Sequence, residues 1–388
     1  MPTSHVCFSR LRFILLCLLC SATVARGSLW ESPGWAVTGT LGGALGYDSN
    51  LTTSRNGPDD FFVEAKPVLT LVRRNSSTDF RVNGGVTQTE FVNHRQPAQT
   101  DLKFDTIFAY PNAADNLIPI YSAEASWLRS SEPNQYLGQR VLVEQTSLEA
   151  EGYVPLTGKL GLRGTADFNT ANFQESGLNN NSRGEAFVGL TYQRLAQTEI
   201  SFNLGAAFGH SKPNDSTRVA SDIHSSEYYV TTRLRGAITA KISGSVYGGF
   251  GVVDYTGGYV KRNSLPVGGA DLTWTIDPRR TLVLAGNSGA QYSPDGQAVT
   301  TTRALLSFTQ VILSQWQYSV SAGQAYSVFK RTQPRRSDEA WDAGTEFAYV
   351  PSDRFKVSLS FSYTKQTSNN AIAGFERDVT SVGTSYRF

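Results

Sequence analysis

The chain has 388 residues, of which 35 are basic and 33 acidic, and charged residues make up 18% of it. This charged fraction lies below the ~25% of soluble domains, and the near balance excludes a general electrostatic attraction to nucleic acid. All three cysteines lie within the first twenty residues, which excludes a disulfide framework or a thiolate site in the remainder. We therefore predict no nucleic-acid partner and no cysteine chemistry.

Residues 1–25 are predicted to be a cleaved secretory signal peptide. Two arginines precede an apolar run from Phe13 to Leu19, which is too short to cross a bilayer as a helix. Small residues place the cleavage after Ala25, with Gly27 as the competing position. The mature chain, 26–388, is predicted to form one domain, and it contains equal numbers of basic and acidic residues.

From residue 35 onward, apolar residues recur at every second position, which is the period of a strand with one apolar face. In the stretch EISFNLGAAFGH, for example, Ile200, Phe202 and Leu204 alternate with Ser201 and Asn203. A tilted strand needs ~9–11 residues to cross the hydrocarbon layer, and most of the runs exceed this length. Eighteen such runs follow one another, at 35–47, 60–72, 78–93, 100–110, 119–129, 143–154, 157–173, 183–194, 198–210, 226–238, 241–255, 263–276, 281–292, 299–313, 315–329, 337–350, 354–367 and 377–388.

The connections between these runs alternate in length. Those after even-numbered runs are mostly tight turns, except around 111–118, whereas those after odd-numbered runs are longer and polar. Short turns at one end and long loops at the other are typical of an outer-membrane barrel. We therefore predict an all-β fold, a transmembrane antiparallel up-and-down β-barrel of about 18 strands in the outer membrane. The loops near 48–59, 130–142 and 211–225 are expected outside the cell, and both termini in the periplasm.

Two prolines conflict with this prediction. Pro67 lies inside the second run and Pro266 inside the twelfth, and proline cannot donate a hydrogen bond to a ladder. Either the strands bulge at these positions or the boundaries are misplaced. A barrel of 16 strands is the main alternative.

The chain ends on the sequence DVTSVGTSYRF, in which the alternation continues to the last residue. This ending, with Tyr386 and Phe388 at a spacing of two, resembles the terminal assembly signal of bacterial outer-membrane barrels. We therefore expect the barrel assembly machinery to be a partner. A lipid environment offers no water to an open sheet edge, so the last strand is expected to pair with the first. The outward face of the strands is expected to contact membrane lipids.

Two further stretches carry a family resemblance. The segment GYDSNL, from Gly46 to Leu51, and the later segment DPRRTLVLAGNSGAQYSPDGQAVTTTRALLSF resemble the beta-barrel porin 2 family. The resemblance implies outer-membrane transport and, in some members, an association with exopolysaccharide production, so polysaccharide export components are expected partners under it. It implies no catalytic residues. By themselves, Asp48 and Asn50 favour an Asx-type turn, and an ion site is the alternative.

Catalysis would need a base, most often histidine. The predicted mature chain has three histidines, His94, His210 and His224, all at the ends of loops. An Asp/His pair formed with Asp215 or Asp222 would be compatible with an outer-membrane protease, but no spacing in the sequence fixes such a geometry. We therefore predict that the protein is not an enzyme and has neither a metal site nor a cofactor.

The inward face of the predicted strands carries many charged residues, which predicts a wet lumen. The candidate pore-lining residues are Arg233, Arg235, Lys241, Tyr229, Glu149 and Asp167. The three bases lie on adjacent runs without an acid at their inward positions, which predicts a locally positive wall and a mild preference for anions. The alternative is that the two acids, from across the lumen, neutralise this wall.

These patterns together favour a porin-like channel for passive or weakly selective passage of small polar solutes, because a barrel of 16–18 strands leaves an aqueous lumen. Such transport needs only pore width and lumen charge. The alternatives are an accessory barrel of exopolysaccharide export and a non-conducting adhesin or assembly barrel.

Overall fold

A computed structural model describes residues 28–75, 77–110, 120–134, 139–175, 177–195, 197–214, 222–256, 263–294, 297–330, 335–370 and 373–388. The predicted signal peptide and its cysteines lie outside the described residues. None of the described residues forms a helix long and apolar enough to cross a membrane.

The described residues form nineteen strands, of which the first is short. The strands are β1 (Trp30–Ser32), β2 (Trp35–Asp48), β3 (Asp60–Arg74), β4 (Asp79–Phe91), β5 (Gln99–Tyr110), β6 (Ile120–Asn134), β7 (Gln139–Pro155), β8 (Leu160–Phe173), β9 (Asn179–Leu195), β10 (Thr198–Pro213), β11 (Ile223–Ala237), β12 (Ile242–Thr256), β13 (Asn263–Asp277), β14 (Arg280–Tyr292), β15 (Ala298–Leu313), β16 (Trp316–Phe329), β17 (Ser337–Ser352), β18 (Phe355–Ser368) and β19 (Phe375–Arg387).

The eighteen long strands close into one antiparallel barrel. Each strand from β2 to β18 pairs with the next one along the chain, and β19 returns to pair with β2, from Val379 opposite Asp48 to Arg387 opposite Thr40. The predicted all-β barrel is therefore confirmed with 18 strands, and the alternative of 16 is wrong.

The two faces of the wall differ as the alternation predicts. On β10, Leu204 is 57% exposed on the outer face, whereas Ala207 on the inner face is fully buried. On β12, the side chain of Phe250 is 76% exposed. A continuous belt of exposed large apolar side chains around a closed barrel is stable in lipid, not in water. The protein therefore belongs in the outer membrane.

The barrel closes at the last residue of the chain. The backbone amide and carbonyl of Phe388 exchange hydrogen bonds of 2.9 and 2.8 Å with those of Gly39 in β2. The ring of Phe388 lies so close above Gly39 that a Cβ atom there would collide with it. Beyond this point β1 takes over the same edge of β2, with Trp30 opposite Val37. β2 is thus paired on both edges along its length.

Both prolines lie inside regular strands. Pro67 sits where the β3–β4 ladder is interrupted, between the pairs Ala65–Gln88 and Val68–Gly85, and the register does not shift there. Pro266 pairs only with β12, because the ladder to β14 begins at Gly268. In each case the missing N–H falls where no ladder bond is needed, so neither boundary was misplaced.

The two ends of the barrel differ, and we name them by their connections. At the turn end, most connections have two to four residues, and both termini of the described chain lie there. At the long-loop end they have four to eleven. The loop predicted near 130–142 is mostly strand, because β6 and β7 pair as far as Asn134 and Gln139. That segment was predicted as a loop because its sequence is polar.

Candidate functional site: the barrel lumen

Acids lie within and beside the predicted positive wall: Glu227 on β11 itself faces inward and is buried, so the expectation of an acid-free wall is wrong. Glu199 on β10 lies directly opposite Arg235 in the ladder. The Nη1 atom of Arg235 is 2.9 Å from Oε1 of Glu151 on β7. Arg163 on β8 also contacts Glu151, and its Nη2 atom is 2.9 Å from Oε2 of Glu199. Two bases and two acids therefore neutralise each other on this part of the wall.

Arg233 faces the same side of the lumen but is held differently. Its guanidinium lies over the ring of Tyr247, 5.0 Å from the centroid, which is a cation–π distance. Together with Arg235 it lines an open recess of about 460 Å³. Glu149 and Asp271 line the same recess, which therefore carries both signs of charge.

Lys241 does not lie on the barrel wall. It belongs to the tight turn between β11 and β12, and its Nζ atom donates a 2.9 Å hydrogen bond to the carbonyl oxygen of Ile276. The period-two pattern placed it inward because the pattern does not show where a strand ends. Lys241 is thus a rim residue of the turn end, and its assignment to the lumen wall is corrected.

Tyr229 faces inward, but only 6% of it is exposed. Its ring lies flat against Gly251 on β12, where a Cβ atom would collide with it. Its hydroxyl accepts a 2.9 Å hydrogen bond from Arg183, which also binds the carboxylates of Glu185 and Glu227. Tyr229 therefore stiffens the wall and offers little surface to a solute.

Asp167 belongs to a row of acids that the sequence did not reveal. Glu149 on β7 lies directly opposite Asp167 on β8, and Asp167 lies directly opposite Glu185 on β9. Like charges directly opposite each other in a sheet repel. This acid row therefore favours a nearby cation, and the bases Arg183 and Arg233 lie on neighbouring parts of the same wall.

The long-loop end of the lumen contains buried apolar side chains among buried polar ones. Val141, Val143, Phe173 and Leu178 form a buried cluster on the inner side of β7 and β8. Leu51, from the connection between β2 and β3, is fully buried. Leu51 is not a member of that cluster but is buried at the same end of the barrel. We call these five residues the packed layer. Because these side chains fill space inside the barrel, less room remains for water at the long-loop end of the lumen.

Hydrogen bonds hold the inward-folded connections in place. Arg377 on β19 binds the carboxylate of Asp48 with both Nε and Nη2, at 3.0 and 2.7 Å. The Nε atom of Arg140 on β7 donates a 2.5 Å hydrogen bond to the carbonyl oxygen of Leu51, five strands away from β2. The backbone N–H of Asn50 donates a 3.0 Å hydrogen bond to Oδ1 of Asp48, which is the predicted Asx-type turn.

A second set of hydrogen bonds crosses the long-loop end, between β9 and the connection after β14. The amide of Asn179 on β9 donates a 2.7 Å hydrogen bond to the carbonyl oxygen of Pro294, in the connection after β14. The side chain of Asn181 donates to the carbonyl oxygen of Ser293 at 3.3 Å. The long-loop end is therefore narrowed by connections that fold inward from two sides.

The turn end, by contrast, opens into a larger recess. This recess has a volume of about 650 Å³ and is lined by residues of β1, β2, β3, β4 and β19. Glu31, Arg81 and Arg387 contribute charges of both signs to its lining. The described lumen is thus polar and open near the turns and packed near the long loops.

Comparison with known proteins adds little to this description. No protein-family model matches the chain, and no curated protein matches it. Among solved structures it is similar to the outer membrane protein OpdK from Pseudomonas aeruginosa, at 12% identity over 91% of this chain and 98% of that one, with a TM-score of 0.42. It is also similar to OccAB3 of Acinetobacter baumannii, at 9% identity over 91% of this chain and 99% of that one, with a TM-score of 0.42. The FrpB iron transporter from Neisseria meningitidis is similar at 7% identity over 93% of this chain and 83% of that one, with a TM-score of 0.46.

At these values we base no conclusion on the likenesses. The resemblance to the beta-barrel porin 2 family stays a prediction from the residues that carry it. The class of the protein follows from its own structure: a closed antiparallel barrel with an apolar outer belt and a polar, charged lumen is an outer-membrane β-barrel.

Proposed function

We propose that this barrel is an outer-membrane channel for small polar solutes. The observation that supports this most is the pair of charge-lined recesses, about 650 and 460 Å³, inside a closed wall. A barrel that served only as a rigid anchor would gain nothing from charges that face an open space. Passage through such a lumen needs no chemistry, only width and charge.

Selectivity in this channel is expected to be weak. Arg235 and Arg163 are paired with Glu151 and Glu199, and Arg233 shares its recess with Glu149. Paired charges produce a smaller field in the pore than a wall of one sign does. Screening over about 8 Å at physiological ionic strength reduces this field further.

The packed layer favours a second candidate, a barrel that does not conduct in its resting state. Solute entry from the long-loop end is then limited by how often the buried side chains of this layer move aside. The implied association with exopolysaccharide production rests on the family resemblance alone. Because the ring of Tyr229 is buried, it offers no surface on which sugar rings could stack. We therefore propose a route for small solutes rather than for a polymer.

Swelling of proteoliposomes in small polar solutes tests the proposal. We expect wild-type protein to support slow swelling and Leu51→Ser to support faster swelling, because serine removes the buried apolar side chain from the layer. The eighteen-strand ladder is untouched by this change. Asn56→Ser, at an exposed position of the same connection, is the matched control and should behave as wild type.

The two candidates give different results in this assay. If neither wild type nor Leu51→Ser admits any solute, the channel proposal is wrong and the non-conducting barrel stands. If proteoliposomes with wild type and with Leu51→Ser swell at the same rate, the packed layer does not limit solute entry.

A further inference from the structure

Two histidines face each other on the outer wall at the long-loop end. His210 on β10 lies directly opposite His224 on β11. Their rings are stacked, with centroids 4.3 Å apart and planes 5° apart. Both share the outward face with Phe208 and Tyr228, which are exposed members of the apolar belt. The pair therefore lies at the edge of the membrane, outside the lumen.

An acid completes a three-residue cluster with these rings. Asp222 precedes His224 by two residues, and its Oδ2 atom lies 4.0 Å from Nε2 of His210. One potential ligand atom from each of the three residues lies within 4.8 Å of the others. Asp215, which the sequence also placed near these histidines, lies outside the described residues.

One atom of the cluster is buried without a hydrogen bond. The Nε2 atom of His210 is shielded from solvent and has no hydrogen-bond partner in the described part of the chain. A buried polar atom without a partner is unfavourable and calls for an explanation. The carboxylate of Asp222 faces this nitrogen across a gap that a cation bound to both would fill.

We propose that His210, His224 and Asp222 form a binding site for a divalent transition-metal ion, and that Zn²⁺ is the ion that this donor set suits best. Zinc takes two imidazole nitrogens and a carboxylate oxygen readily and leaves a fourth, tetrahedral position for water. The site is unrelated to passage through the lumen, because it lies on the outer face of the wall. It would tie the ends of β10 and β11 together where they leave the lipid.

Binding requires a small local movement. Ligand atoms around a tetrahedral zinc with bonds of ~2.0–2.1 Å are roughly 3.3 Å apart, so the gap between His210 and Asp222 must shorten. The Asp222 side chain is half exposed, which leaves it room to rotate. The two rings must also tilt out of their stack so that their nitrogen lone pairs converge. The neighbouring groove contains Ser182, Ser226 and Gly184, small residues that leave space for this tilt.

Competition with a chromophoric zinc chelator tests the site directly. The experiment uses full-length refolded protein without a histidine tag. Wild type should bind one Zn²⁺ per chain, and His210→Ala and His224→Ala should each weaken binding by roughly tenfold or more, at least the loss caused by removing an outer-shell partner of a metal ligand. Asp222→Asn should weaken it as well. His94→Ala, which changes a histidine in the connection after β4, is the control and should leave the affinity unchanged.

A spectroscopic measurement separates coordination from loose association. Bound Cu²⁺ should show electron paramagnetic resonance couplings from two nitrogens in wild type and from one in either single histidine variant. The variants change only exposed or half-exposed positions on the outer wall, and heat-modifiable migration on a gel verifies that each has folded. The proposal is overturned if folded wild type binds less than one ion, or if His210→Ala/His224→Ala retains the wild-type affinity.

Discussion

Leu359 offers a direct test of which face of the wall meets lipid. It lies on β18, 52% exposed, between Phe347 and Val382 on the neighbouring strands. It stands four residues beyond Phe355, where the strand begins at the turn end. With a rise of ~3.3 Å per residue and a tilt of ~40°, this places it roughly 10 Å into an apolar belt ~25 Å tall. Leu359 is therefore close to the middle of the membrane.

Leu359→Arg should accordingly destabilise the barrel by about 2–4 kcal/mol, the cost of arginine near the midplane. The neighbouring Ser360 points into the lumen, opposite Glu346, and its hydroxyl lies 2.7 Å from that of Ser381. Ser360→Arg loses this one hydrogen bond, worth about 1 kcal/mol, and places its guanidinium beside Glu346, which Lys356 already contacts. Its cost should therefore be about 1 kcal/mol or less.

The assay is a urea titration of folding into lipid vesicles, followed by tryptophan fluorescence, for wild type and the two variants. The difference between the two arginine variants is the quantity of interest, because both add the same side chain at adjacent positions. Equal costs would refute the assignment of the faces. A larger cost for Ser360→Arg would mean that the inner face is the dry one.

Three further predictions concern the lumen, the orientation and the closure of the barrel. Arg233→Ser/Arg235→Ser removes two positive charges beside Glu151 and the acid row, so the reversal potential under a salt gradient should move toward cation selectivity; a folded, conducting double variant with an unchanged reversal potential would show that this wall does not set selectivity. A cysteine at Arg55, exposed at the long-loop end, should react with an impermeant maleimide on intact cells, whereas a cysteine at Asp353, in a turn, should react only after lysis; the reverse pattern would invert the orientation. Phe388→Ala should slow folding and assembly, since it removes the ring that covers Gly39 at the seam, and unchanged folding kinetics would argue against a role for that ring.

The strands could be predicted from the sequence because each one has a lipid face. Lipid demands an apolar side chain at every second position, and this demand repeats in all eighteen strands, so the pattern persists even through Pro67 and Pro266. The closing pair also followed from physical necessity, since an unpaired edge is too costly in lipid. The short β1 strand was missed, because three residues are too few to show a period.

The lumen could be predicted only in part, because period two gives the face of a residue but not its neighbours. That Glu199 stands opposite Arg235, or that Glu149, Asp167 and Glu185 form one row, depends on the register between strands. The reach of Arg235 to Glu151 depends on the curvature of the wall. The packed layer depends on how Leu51 and its connection fold inward, and connections carry no periodic signal. The opposition of His210 and His224 likewise depends on the register of one hairpin.

Electrical recording shows whether this closed barrel contains a polar route that is narrowed at its long-loop end. Refolded protein is added to a planar lipid bilayer at a fixed voltage, and the current of single insertions is measured. We expect small, discrete, weakly ion-selective steps that become larger in Leu51→Ser. An absence of current from folded, inserted wild type and Leu51→Ser alike would contradict this expectation.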